Sequence, residues 1–533
     1  MRFFRMSLGP GRVLLAQAGG ALVAAVLIGG CGNSYRPAVT PIPSSGPPAQ
    51  AESYAIVVSS PSPTSPGMAT LIDYSGDSVM GFAPIGIGPL AFTIDETGST
   101  GYTLNSDHTI TNFPIETDIQ LKLELVTTLP STAQPLNILA PSAGMWIGDL
   151  DGDVADIFKG NPQTFQQALP MAPASTPVFI AGSPTSTGQR QYVINQNLGP
   201  NPTGVECNLA PASAPLGTAV PVEISTYTTD VPIPVGHCPV FAVQSTDQRR
   251  LFVLNRGDDT VTVINSQNNS LDACTPFKNQ NGQLVTCHPT LPLSTTAVTN
   301  TGITPPNGTA GMPAIAGPVY AEYNRATEQL VVADYDGGTV SIIDVSLDQY
   351  GNDSPTFGTT YTVAVGTTAH PYPASVTVLL DGSRAYTANQ GDCVPDCATN
   401  PNGSVTVVDL ASHSAEKTLP VTGVPRTVVS TQNSLFGKVY VASPNSPYLT
   451  ILQTTTDLVD TTILVQGNIV DVRATTQSGG SQSISTYNGN TSIGNINFSS
   501  RIPGFGQPCN LPPSMLTSAD LTSNPKLCSQ IPH

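Results

Sequence analysis

Residues 251–267 read LFVLNRGDDTVTVINSQ, residues 330–346 read LVVADYDGGTVSIIDVS, and residues 385–411 read AYTANQGDCVPDCATNPNGSVTVVDLA. Each is an apolar run ending in Asn or Asp, then a Gly/Asp turn, then a second run of Val and Ile. Short β-branched runs broken by turn residues are the signature of paired strands. A further short strand and a proline precede each copy: PVFAVQSTDQRR from Pro239, PVYAEYNRATEQ from Pro318 and PASVTVLLDGSR from Pro373. A less regular strand follows each copy and leads to the next proline. The unit is therefore four strands long.

Weaker copies extend the pattern in both directions. They are YAIVVSSPSPTSPGMATLID from Tyr54, GYTLNSDHTITNF from Gly101, MWIGDLDGDVADIF from Met145, RQYVINQ from Arg190 and KVYVASPNSPYLTILQ from Lys438. The strand-ending positions are Ser59, Asn105, Asp149, Asn195, Asn255, Asp334, Asn389 and Ser443. The base spacing is about 45 residues, a repeat length that reads as one propeller blade. The two longest gaps hold insertions, around residues 199–215 and from Asp272 to about Pro313. A single four-stranded blade cannot bury its two apolar faces, whereas a ring of blades covers them all. The fold class is thus all-β, a single β-propeller over residues 53–477. Eight blades are counted, with seven as the alternative if one weak unit is not a blade. The first unit begins at its second strand. Asn468–Thr476, NIVDVRATT, is the candidate for the missing innermost strand.

The strand ends Tyr192–Asn195, Phe252–Asn255 and Tyr386–Asn389 resemble the YVTN-type propeller repeat of exported bacterial proteins. The resemblance covers most of residues 54–475 and implies a propeller related in architecture to the lactonase-like propellers. It implies fold more than function.

The chain opens MRFFRMSLGPGRVLLAQAGGALVAAVLIGGCGN. Three arginines, a short apolar core and small residues describe an export signal, residues 1–30. The apolar run is shorter than the roughly 20 residues that a permanent span needs. Leu27-Ile28-Gly29-Gly30-Cys31 resembles a lipobox, which implies cleavage before Cys31 and lipid on that residue. An ordinary secretory signal is the plain alternative. Gly32, rather than Asp, favours the outer membrane under the best-known sorting rule. Residues 31–52, rich in Pro and Ser, read as an extended tether. Residues 478–533 read as a Ser/Asn/Pro-rich tail packed on the propeller.

The net charge of −17, on a chain only 10% charged, repels nucleic acid and anionic lipid. The expected partners are the membrane, through the lipid, and an envelope protein or glycan. Nine cysteines leave eight once Cys31 is set aside. An even number in an oxidising compartment suggests disulfides. Sequence proximity pairs Cys207 with Cys238, Cys274 with Cys287, Cys393 with Cys397 and Cys509 with Cys528, although eight cysteines allow many connectivities.

Two constellations bear on chemistry. Asp149, Asp151, Asp153 and Asp156 resemble the calcium loop of integrin-type propeller repeats, with one residue missing and Val154 where Gly is expected. Alternating acids in a tight loop suit a hard cation, so calcium is the one candidate cofactor. The plain alternative makes Asp151-Gly152 a hairpin turn and puts Asp156 in a strand. His237, His370 and Arg426 fall at junctions between blades, where propellers commonly take ligands. They read equally well as ordinary polar loop residues. There is no Gly-x-Ser-x-Gly elbow, no His-Glu-x-x-His and no phosphate-binding Lys loop. One tryptophan, Trp146, is too few for the repeated docking motifs of quinone-cofactor propellers. The expected function is a non-enzymatic binding or scaffolding module. A lactonase-like hydrolase with a metal at the channel mouth is the alternative, and a laterally assembling envelope protein is a third.

Overall fold

The computed structural model describes residues 54–475 apart from short internal stretches, the longest being 200–214, 294–315 and 392–401. The described residues contain eight blades, each an antiparallel sheet of four strands or, in two blades, five. Innermost strands begin at Pro89, Pro135, Pro177, Pro239, Pro318 and Pro373 in blades 2 to 7, and at Thr427 in blade 8. Blade 1 takes its innermost strand from the other end of the chain. Asn468–Ala474 pairs antiparallel with Tyr54–Ser60, and Thr475 N–H donates to the Tyr54 carbonyl at 2.8 Å. The expected closing strand and the count of eight both stand.

Blade faces are buried against neighbouring blades, so inner and middle strands lose the alternation of a half-exposed sheet. Pro177–Gly182 and Pro373–Val378 are buried at every position. Alternation returns only at the rim, where Ser78–Ile87 and Leu458–Leu464 put every second side chain into solvent.

Register is pinned the same way in blades 2 to 7. The opening proline faces the strand-ending Asn or Asp: Pro89 on Asn105, Pro135 on Asp149, Pro177 on Asn195, Pro239 on Asn255, Pro318 on Asp334 and Pro373 on Asn389. A bulge follows each proline, and proline is tolerated there because it need not donate to the ladder. The residue before the proline is left-handed at Gly88, Thr176, Cys238, Gly317 and Tyr372, with φ between 45° and 61°. Three of those five carry side chains, and Thr176 is β-branched, so backbone strain is stored at these junctions.

Cys274 and Cys287 form the expected disulfide. Cys238 is disulfide-bonded, while Cys207, its expected partner, lies outside the described residues. Cys31, Cys393, Cys397, Cys509 and Cys528 also lie outside them.

Candidate functional site: the channel and its mouth

The strand-ending position is the hub of the blade, and in blades 2, 4, 5 and 7 it is Asn. Asn255 Nδ2 donates to Thr260 Oγ1 at 2.9 Å and to Thr262 Oγ1 at 2.8 Å. Asn105 does the same with Thr109 and Thr111, and Asn389 with Ser404 and Thr406. The inner hydroxyl then accepts a backbone N–H from the junction before the blade: Gly86 to Thr111, Gly236 to Thr262, Gly366 to Thr406. The Asn of the repeat is thus a buried tie between strand, hairpin and the preceding blade. In blade 6 Asp334 takes the hub and accepts from Thr339 and Ser341. Burial pushes its carboxyl up to about 8, so at neutral pH it is protonated and nearly an isostere of Asn.

The turns after the hub lock the junctions. Asp107 accepts Ile87 N–H, Asp258 accepts His237 N–H and Asn445 accepts Val424 N–H. Asp259 reaches the other way, to Gly317 N–H at 2.8 Å.

These devices account for the residues singled out in the sequence. His237 is mostly buried, its Nδ1 3.1 Å from Asp258 Oδ2, inside one such lock. Arg426 is buried, and its Nη2 donates to the Val470 carbonyl of the closing strand. His370 lies outside the described residues. In the acidic run, Asp149 is the hub of blade 3. Asp153 holds the next junction, accepting Ala174 N–H at 2.7 Å and Thr176 N–H at 2.9 Å. Asp156 is a strand residue facing Ile147. Asp151 lies outside the described residues. The described part of the run follows the plain alternative, a hairpin.

The inner strands hold what sequence reasoning missed. The inner-strand residue that pairs with the position just before the strand end is Asp471, Ala91, Asn137, Phe179, Phe241, Tyr320, Ser375 and Thr427 in blades 1 to 8. Phe179, Phe241 and Tyr320 pack in sequence as tilted ring pairs, with centroids 4.6 and 4.7 Å apart. Two residues further along are Arg473 in blade 1 and Glu322 in blade 6. Arg473 Nη2 lies 3.1 Å from Asp471 Oδ2, and the same side chain hydrogen-bonds Tyr320 and faces Glu322. A guanidinium from the closing strand therefore joins blade 6 across the ring. Burial lifts the Glu322 carboxyl to about 8, against hydrogen bonds from Val378 N–H and Thr377. Asp471, Arg473, Tyr320, Glu322 and Thr377 are all buried. The signal was present: PVYAEYN has an acid where PVFAVQS has Val243, and NIVDVRA alternates charges inside an inner strand.

The residue after the hub is buried in blades 4 to 7: Gln196, Arg256, Tyr335 and Gln390. Arg256 forks onto Asp336, with Nε–Oδ2 at 3.2 Å and Nη2–Oδ1 at 3.0 Å, a bidentate geometry that fixes both. Its guanidinium lies 5.3 Å from the Tyr335 ring centroid. Tyr335 donates to Gln390 Oε1 at 3.1 Å and packs 5.1 Å from the half-buried ring of Tyr372.

No protein-family model matches the chain, and no curated protein matches it. Solved structures are similar in fold. Apo AztD from Citrobacter koseri is 13% identical over 79% of this chain and 97% of that one, with a TM-score of 0.49. The dihydro-heme d1 dehydrogenase NirN is 12% identical over 81% and 78%, with a TM-score of 0.49. A putative 6-phosphogluconolactonase, BF1038 from Bacteroides fragilis, is 12% identical over 80% and 99%, with a TM-score of 0.45. At such identities no residue role passes from those proteins to this one.

Proposed function

We propose that this protein is a lipid-anchored propeller of the bacterial cell envelope that binds or scaffolds an envelope protein or glycan at its channel mouth. One observation carries the reading. The charged groups inside the ring, Asp471, Arg473 and Glu322, are buried and engaged with one another and with Tyr320, whereas the half-buried Tyr372 is braced from behind by buried aromatic and amide side chains. Tyr372 is within reach of solvent, held in a left-handed junction and backed by Tyr335, Arg256 and Asp336. A pre-braced surface loses little entropy on binding, which suits recognition. The YVTN-like strand ends fit an exported scaffold of this kind, and the Cys31 lipobox supplies the anchor.

The test is binding of the full-length chain to an array of envelope glycans and peptidoglycan fragments. Retention of one class, weakened at least about tenfold by Tyr372→Ala, supports the mouth as the binding surface. Hydrolysis of lactones by the wild type, with no retained glycan or protein, would replace this reading with the lactonase-like one. Separately, Cys31→Ser is expected to move the chain from the membrane fraction to the soluble one.

A further inference from the structure

Blade 5 carries a finger between Ser270–Leu271 and Thr290–Pro292. Phe277–Lys278 pairs with Leu284–Val285 in a two-stranded hairpin, and Cys274–Cys287 closes its base. The residues flanking that bridge meet on one buried arginine. Arg250 Nη2 lies 3.2 Å from Asp272 Oδ1, on one side of the finger. The same nitrogen lies 3.2 Å from Asp353 Oδ1, in the loop between the third and fourth strands of blade 6. His288, on the other side of the finger, puts Nδ1 2.8 Å from Asp353 Oδ2 and stacks on Phe357 of that loop. His288 N–H also donates to the Asp272 carboxyl. Arg250, Asp272 and Asp353 are at most 4% exposed, and His288 is the edge of the network at 31%.

With both carboxyls ionised, one guanidinium faces two negative charges. The Asp272 Oδ2 atom is buried and has no hydrogen-bond partner among the described residues. One proton balances the network. The other charged groups on the packed elements are committed nearby. Arg249 pairs with Asp247 at 3.5 Å, Glu328 accepts Leu347 N–H, Asp344 takes Ser346, and Asp348 caps its own turn through Tyr350 and Asn352.

We propose that this network is a proton-operated latch: one proton on Asp272 balances the carboxyls gathered on Arg250 and fastens the disulfide-closed finger to blade 6, and its loss frees the finger. Burial pushes the Asp272 carboxyl up to about 6, opposed by Arg250 and reinforced by the Asp353 charge. The docked state therefore binds the proton more tightly than the undocked one. Docking is strongest below the ordinary carboxylate range and weakens as pH rises through about 6. The finger carries Phe277 and Leu284 in solvent, so the latch governs how two exposed apolar side chains are held.

Hydrogen exchange of the full-length chain, corrected for intrinsic rate, tests this between pH 4 and 7.5. Opening of residues 272–292 and 345–358 is expected to rise by up to about tenfold per pH unit between pH 4 and 6, the slope of one proton. The Arg384–Asn389 strand of blade 7 serves as the unchanged reference. Asp272→Asn, a neutral isostere, is expected to flatten the dependence at the acid level of protection. His288→Gln, at the exposed edge, is expected to shift the transition by about half a unit or more. Retention of the wild-type slope in Asp272→Asn, or equal protection of the finger at both extremes of pH, overturns the latch.

Discussion

Blades 3 and 5 place different chemistry on one framework. Asp149, Asp153 and Asp156 stand at the same offsets as Asn255, Asp259 and Thr262. The turn acids are equivalent: Asp153 and Asp259 are both left-handed, with φ of 49° and 53°, and both hold the following junction by its backbone N–H groups. The hubs are not. In blade 5 an amide donates to two hydroxyls, and none of these groups changes charge with pH. In blade 3 two carboxyls face each other across the same diagonal. Asp156 is pushed up to about 7, by burial first and then by the Asp149 charge. Blade 6 is the intermediate case, with one carboxyl and two hydroxyl donors. The propeller thus tolerates an acid at the hub when hydroxyls supply protons, and two acids only by retaining one.

The widest gap between the hubs is expected from blade 6. Asp334 has a folded-state value of about 8, above its unfolded value of 3.8, so it favours folding while protonated. That stability is lost as pH rises toward and through about 8. Asp334→Asn copies blade 5 and is expected to raise stability at pH 9 by on the order of 3 kcal/mol, and to change little at pH 4. Urea midpoints at the two pH values measure it. An equal effect at both would show that the hub carboxyl does not titrate with folding. Next in size is Asn255→Leu, which removes the amide donor that ties the Thr260 and Thr262 hydroxyls to the strand end. It is expected to cost about 2 kcal/mol, equally at pH 5 and pH 9, because no proton is involved.

The hubs also explain what could be seen in the sequence and what could not. The strand-ending Asn recurs at a fixed place in the repeat, so blade number, strand order and the closing role of Asn468–Ala474 were legible from periodicity. The acidic run was visible too, but a linear spacing does not say which acid points at a junction and which lies in a strand. Register does: Asp153 is in the turn and Asp156 faces Ile147. Arg473 and Glu322 were not found because they are far apart in sequence and single in each strand. Only ring closure brings blade 1 opposite blade 6. A charge inside an otherwise apolar inner strand was the available signal, and comparing PVYAEYN with PVFAVQS isolates it. His237 stood out as a histidine, yet its neighbour Asp258 determines its place through a lock that Asp107 and Asn445 repeat in blades 2 and 8.

The smallest and most diagnostic effect belongs to blade 3. Converting it to the blade 5 pattern with Asp149→Asn and Asp156→Thr replaces the acid pair by an amide and a hydroxyl. Because Asp156 holds its proton more tightly in the folded chain than in the unfolded one, wild-type stability falls as pH rises through about 7. The double variant should lack that part of the fall, a difference of about 1 kcal/mol between pH 6 and pH 8.5. Melting temperatures of the two proteins at both pH values, with calcium chelated, measure it. Parallel curves would mean that the facing carboxyls are relaxed by solvent. Adding calcium then separates the two ways of balancing the pair. If the cation raises the wild-type melting temperature at pH 8.5 and leaves the double variant unmoved, calcium replaces the proton between Asp149 and Asp156. If neither protein responds, the proton alone balances them, and the difference between blades 3 and 5 is one of protonation.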